Sequence, residues 1–362
     1  MLTSELDPVD LLAGPRGRRL CLELAQRADD DVARRVFYAA HDLDPGAGTS
    51  RVVMFGPGAA GRPQASPQDV ADAISRAALP TLNDLTLMQA LDVAVATARY
   101  WQEPDGEDVL AATPTVRAAL EPVARAVVAA PSARWWTTAL DTTAQCRVSW
   151  VEDGRPPRPP DPDPAAALAA WRAEAVTEEE TAARERPTDP AAPWSGVWWS
   201  TPPSVIPRTS RHLGSLGPVG LMLVEDSLGW ERALVTAVDV PAGARVLEID
   251  GPDVWAQLCR RHPLPVTAAR RHDWYRATGR GDITWVQPDW AGVADEVDAV
   301  HLTVAGYLTT AGRAIPIGQA AASVLAGWDP DATYWLTDRP TAVGPPRGWS
   351  LDRSAGMWVA RR

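Results

Sequence analysis

The chain has 362 residues, 46% of them hydrophobic, and a net charge of −11. That is the composition of a soluble globular protein, at a length that fits two domains. The acidity argues against a general nucleic-acid surface or an anionic-membrane surface, since both need clustered positive charge. Cys21, Cys146 and Cys259 are the only three cysteines, too few and too scattered for a disulfide framework.

Aromatic usage is skewed, with 17 Trp against 5 Tyr and 2 Phe, and all 35 basic residues are arginine. Every cation is therefore a planar fork suited to phosphate or carboxylate and able to stack on an indole. The opening MLTSELDPVDLLAG lacks the basic region and apolar core of a signal peptide. No apolar run approaches the ~20 residues that span a bilayer. The expectation is a cytoplasmic, reduced protein with no membrane or nucleic-acid partner.

The first half reads as helical. Arg16 to Ala40 predicts helix, interrupted around Asp29 to Asp31. Ser66-Pro67 followed by Asp69 supplies an N-cap, a first-turn proline and an early acid. A second start follows Asn83, with Met88, Leu91, Val95 and Ala98 on one face, and a third opens at Thr113-Pro114. Pro122 either kinks that helix or restarts it. Ala133 to Leu140 and Thr143 to Val151 read as a small hairpin. Arg18-Arg19 and Arg34-Arg35 read as solvated helix faces. A protein partner, if one exists, is expected on this helical half.

Glu152 to Pro164 (EDGRPPRPPDPDP) is a proline-rich spacer, and Ala165 to Arg186 a connecting helix. Beyond it, short runs predict strands: Gly196 to Thr201 (GVWWST), Val219 to Val224, Ala233 to Val240, Arg245 to Ile249, Ala299 to Val304 and Thr333 to Leu336. A helix starts at Asp250-Gly251-Pro252, and Trp349 and Trp358 sit in a final hairpin. The predicted class is α+β: a helical domain with a small hairpin (1–151), a spacer (152–193), and a domain of short, mainly antiparallel strands in two packed sheets (194–362).

The stretch from Arg270 to Thr337 concentrates Trp274, Trp285, Trp290, Trp328 and Trp335 with His272 and His301. Flat rings beside charged groups suit a pocket for a polar aromatic ligand, and equally an aromatic core. GxSxG, Walker, HExxH and GxGxxG signatures are absent. Cys259-Arg-Arg-His262 has metal-like spacing but no second pair, so no metal is expected. His272-Asp273 reads as a turn or surface pair. Strand alternation puts His301 and Thr303 on one face, where His301 either lines a cleft or is a hydrogen-bonded structural histidine. Asp329-Pro330-Asp331 is turn chemistry, yet it sets two carboxylates between Trp328 and Trp335.

Three pieces in order, WWST (Trp198 to Thr201), DAVHLT and WDPDATYWL, resemble the layout of ADP-ribosyltransferase-type domains over roughly 194–340. The helical half resembles no family known to us. The resemblance implies paired antiparallel sheets around an NAD cleft. It implies Arg211 and Arg208 on the diphosphate, Trp199 or Trp335 on nicotinamide, and Asp331 on the ribose with His301, Ser200 and Thr201 in the site. The sequence departs from that family where Ser200 or Thr201 stands for Arg or His, and where Asp331 stands for Glu. Three functions follow as expectations: an NAD-dependent transferase, a non-catalytic ligand- or protein-binding module of the same fold, or a structural protein whose tryptophans are core.

Overall fold

The computed structural model describes residues 6–46, 64–152, 163–338 and 340–361. Much of the spacer, 153–162, lies outside them. Local chemistry starts the helices of the first half. Asp7 caps α1 (Pro8–Ala13), Pro15 opens α2 (Pro15–Ala28), and Asp29 caps α3 (Asp30–Leu43). Ser66 and Asp69 close a reciprocal capping box on α4 (Pro67–Arg76), and the Asn83 side chain accepts the Thr86 N–H at the start of α5 (Asp84–Ala96). Asp105 caps α6 (Gly106–Ala112). Pro122 restarts rather than kinks: α7 (Pro114–Ala119) ends at Leu120 and α8 (Glu121–Ala129) begins.

The predicted hairpin does not form. Pro131–Thr137 is a 3-10 helix whose Trp136 is buried in the helical core. The second arm, β1 (Gln145–Trp150), joins a large sheet instead. After α9 (Pro164–Glu185) come β2 (Arg208–Leu213), β3 (Gly217–Pro218), α10 (Val219–Met222), β4 (Arg232–Asp239) and β5 (Val246–Ile249). There follow α11 (Pro252–Arg261), β6 (Pro263–Pro265), α12 (Thr267–Thr278), β7 (Thr284–Pro288), α13 (Trp290–Val293), β8 (Ala299–Leu302) and α14 (Val304–Thr310). The chain ends with β9 (Ile315–Pro316), β10 (Ala321–Ser323), β11 (Thr333–Trp335), β12 (Thr341–Asp352) and β13 (Met357–Ala360).

The fold is α+β, with helices leading and strands following. The large sheet runs β13-β12-β4-β1-β2-β11-β8-β5, with β3 on β2. Its neighbours are antiparallel except β5 and β8. A smaller sheet runs β6-β7-β10-β9. β1 comes from the helical half yet lies between β2 and β4, Cys146 facing Ser210 on one side and Ala237 on the other. One core runs from Leu11 through Trp136 and Trp255 to Leu336. Residue 151 is therefore not a structural boundary.

Two predicted strands are something else. Val219 to Val224 turns into α10, because Gly220 can approach Ser210 closely and its N–H donates to the Ser210 hydroxyl at 3.0 Å. Gly196 to Thr201 takes no regular secondary structure and joins no sheet. Its carbonyls are met by indoles: Trp274 Nε1 donates to Trp198 O at 2.7 Å and Trp290 Nε1 to Ser200 O at 3.1 Å. Among the described residues no helix is long and apolar enough to cross a membrane.

Candidate functional site

The five tryptophans of the central stretch, Trp274, Trp285, Trp290, Trp328 and Trp335, are all buried. They form core rather than pocket: Trp255, Trp290 and Trp328 follow one another at 6.2 and 5.6 Å, and Trp328 meets Tyr334 edge-on at 4.9 Å. Trp335 stacks on no open space and donates Nε1–H to Thr209 Oγ1 at 2.9 Å. His272 and Asp273 are equally buried, so neither is a surface residue. His272 Nδ1 lies 3.3 Å from Pro190 O, and Asp273 accepts from Ser195 Oγ and Gly196 N, tying the chain before the WWST piece to α12.

The turn at Asp329-Pro330-Asp331 sends its two carboxylates to different places. Asp331 sits at φ 61°, a left-handed conformation that aspartate tolerates better than most side chains. Its carboxylate accepts from Arg211 N at 2.9 Å and Arg211 Nε at 3.1 Å, and lies 3.5 Å from His301 Nε2. His301 Nδ1 reaches Glu248 Oε2 at 2.5 Å, and Glu248 Oε1 accepts the Leu140 N–H at 2.9 Å. Two cations thus meet two carboxylates. Burial alone would lower the His301 pKa, but hydrogen bonds and charge from Asp331 and Glu248 overcome it and raise it to about 9. The remaining Arg211 donors go to Thr138 Oγ1 and Ala139 O, and its guanidinium lies 5.3 Å over the Trp135 ring.

His301 is 0% exposed and Asp331 2%. Asp331, His301 and Arg211 lie together as a buried ionic cluster, with Glu248 at its partly exposed edge. Ser200 is also committed: its hydroxyl and backbone pair with both polar atoms of Ala326, at 2.9 to 3.4 Å.

Strand alternation turns Arg208, three residues before Arg211 on β2, to the other face. There it pairs with Asp329 Oδ2 at 2.8 Å and lies 5.8 Å over the Tyr334 ring. This pair lines an open cleft of about 370 Å³ with Thr201, Trp198, Trp199, Trp150 and Trp230. Trp150 and Trp230 are stacked at 5.0 Å and 9° between planes, and Trp198 and Trp199 meet edge-on at 5.8 Å. Trp199 is 42% exposed. Gly327 (φ 79°) keeps it in place, because a Cβ there would come within 2.5 Å of Trp199 Cβ.

Glu225 lies in the cleft floor. Its N–H donates to Asp329 Oδ1 at 2.8 Å, and Oε1 accepts the Gly327 N–H. Burial raises its pKa well above the carboxylate range; the Tyr307 hydroxyl and Gly327 N–H oppose the shift and Asp329 adds to it. Sequence reasoning missed Trp150, Trp230 and Glu225. Nothing local marks them, because β1, the loop before β4 and the segment after α10 meet only in the folded sheet.

Among the described residues no group of three His, Cys, Asp or Glu side chains is placed to hold a metal. No family model matches the chain, and none of the curated proteins or solved structures matches it either.

Proposed function

We propose that this protein binds a small planar ligand in the tryptophan-lined cleft, as a binding module rather than a transferase. The observation that carries the reading is the cleft itself. Stacked and edge-on indoles frame a space of about 370 Å³, with the Arg208–Asp329 pair set in its wall. That volume lies at the small end of the range for drug-sized ligands, and aromatic walls with a few fixed polar groups are what such sites need.

Within the nucleotide class, the arrangement favours a ring over a diphosphate. Arg211 is enclosed by Asp331, and Arg208 is neutralised by Asp329. The cleft also carries Asp226, whose charge disfavours phosphate. NAD would enter by its nicotinamide or adenine, lying against Trp199, with its phosphates left in solvent. The transferase reading needs an acid at the ribose, and Asp331, the residue the resemblance assigns to that role, is buried on the far side of β2.

Calorimetry with NAD, nicotinamide and adenosine tests the proposal, with nicotinamide release followed in the same samples. The expected result is binding of at least one ring, NAD no more than about tenfold tighter than its better half (~1.4 kcal/mol), and no release. No heat with any of the three at millimolar concentration would defeat the binding reading. Release that depends on Asp331 would restore the transferase.

A further inference from the structure

A second cavity, of about 250 Å³, opens beside α2 and α6 with a lining distinct from that of the tryptophan cleft. Its apolar wall is Pro15, Tyr100, Val109, Ala112 and Ala277, and its cations are Arg16, Arg18 and Arg99. The buried Arg16 side chain leaves its Nε without a hydrogen-bond partner among the described residues. We propose that this cavity is a second binding site, for a small molecule with an oxyanion head and a compact apolar body.

The lining carries three arginines and three acids, so the preference for an anion rests on which arginine is left unpaired. The acids that line the cavity are largely spent: Asp108 pairs with Arg16, Asp105 pairs with Arg19, and Glu103 is exposed at the rim. Arg19 is accordingly buried among Glu23, Asp105, Glu107 and Asp108, not solvated as its sequence context suggests. Arg99 lies 3.5 Å from Asp226. Arg18 is different. Its Nη1 donates to Leu12 O and Ala13 O, its Nε has no partner, and no carboxylate among the described residues lies within ion-pair distance.

Arg117 and Arg313 stand within Coulombic reach of Arg18, and they too lack ion-pair partners among the described residues. Burial first, then Arg117, with Arg16 and Arg313 adding, lowers the Arg18 pKa to about 10 against the pull of Asp108. Arg313 is lowered as well, by burial and then by Arg117 with Asp10 opposing. None of the three is ion-paired among the described residues, although Asp108, Asp10 and Asp253 act on them at longer range. A planar guanidinium with free donors suits phosphate or carboxylate, and the wall beside it suits a ring.

The test uses phenyl phosphate, benzoate and neutral benzyl alcohol at constant ionic strength, read by calorimetry and thermal shift. At least one of the two anions is expected to bind, benzyl alcohol is not, and the tighter anion identifies the head group. Arg18→Gln should weaken binding about tenfold or more, as loss of a charge-assisted contact does. Arg117→Gln, at an exposed position, should weaken it while leaving the fold intact, which covers the case in which Arg18→Gln does not fold. Trp199→Ala should leave it unchanged. Absence of binding by both anions, equal binding of benzyl alcohol, or full binding by Arg117→Gln would overturn the site.

Discussion

Asp331 shows how position decides what a carboxylate does. At an exposed turn its charge would be worth a few tenths of a kcal/mol. Here it holds Arg211 by two hydrogen bonds and faces His301, with 2% of its surface exposed. Removing one member of a buried pair strands the other, at a cost of about 3–5 kcal/mol. Asp331→Asn should therefore lose about that much stability in urea denaturation. Asparagine tolerates the left-handed backbone nearly as well, so the loss reports the charge. A loss of only tenths would return Asp331 to the role of a turn residue.

The same cluster fixes a pH dependence. The ordinary histidine pKa is about 6.5, whereas His301 titrates at about 9 in the fold. The folded state thus holds a proton that the unfolded chain releases. Its stabilisation is full below about pH 6.5 and is lost as pH rises through about 9, on the order of 3 kcal/mol at most. Proton NMR should find one of the five imidazoles still charged at pH 8. Ordinary titration of all five would exclude the buried imidazolium.

At the scale of elements, what was legible in the sequence was what local chemistry decides. Ser66 and Asn83 cap their helices, and Pro67 and Pro114 take first-turn positions, all within one turn of the start. Runs such as Ala299–Leu302 and Thr333–Trp335 became strands. What was not legible depends on distant partners. GVWWST has strand propensity, but its carbonyls are taken by Trp274 and Trp290 from two other elements. β1 was legible as a strand; its place between β2 and β4 was not. Of the candidate site, Arg208, Trp199 and Thr201 reach the cleft, while β2 alternation turns Arg211 to the other face, where it meets Asp331 beside His301.

The position of β1 makes a prediction about fragments. Expressed alone, 163–362 lacks the strand that joins β2 to β4, so its sheet is split and two edges are bared. It should be insoluble or molten by near-ultraviolet circular dichroism, and co-expression with 1–152 should restore it. A soluble, cooperatively unfolding 163–362 fragment would show that the C-terminal half stands by itself.

For the molecule as a whole, arginine without lysine gives a particular internal economy. Arg16 and Arg19 pair with carboxylates at α6, and Arg208 and Arg211 pair with carboxylates of the turn before β11, each far away in sequence. The tryptophans divide in two. Trp255, Trp274, Trp285, Trp290, Trp328 and Trp335 fill the core, while Trp150, Trp198, Trp199 and Trp230 frame the cleft. The binding reading depends on that second group, and on the half-exposed Trp199 most of all. Its most direct test is a titration of intrinsic tryptophan fluorescence with nicotinamide and with NAD, on wild type and Trp199→Ala in parallel. The account predicts saturable quenching of the wild type that is weakened about tenfold or lost in Trp199→Ala, the size of one lost stacking contact of ~1–3 kcal/mol. Quenching of undiminished affinity in Trp199→Ala would contradict it.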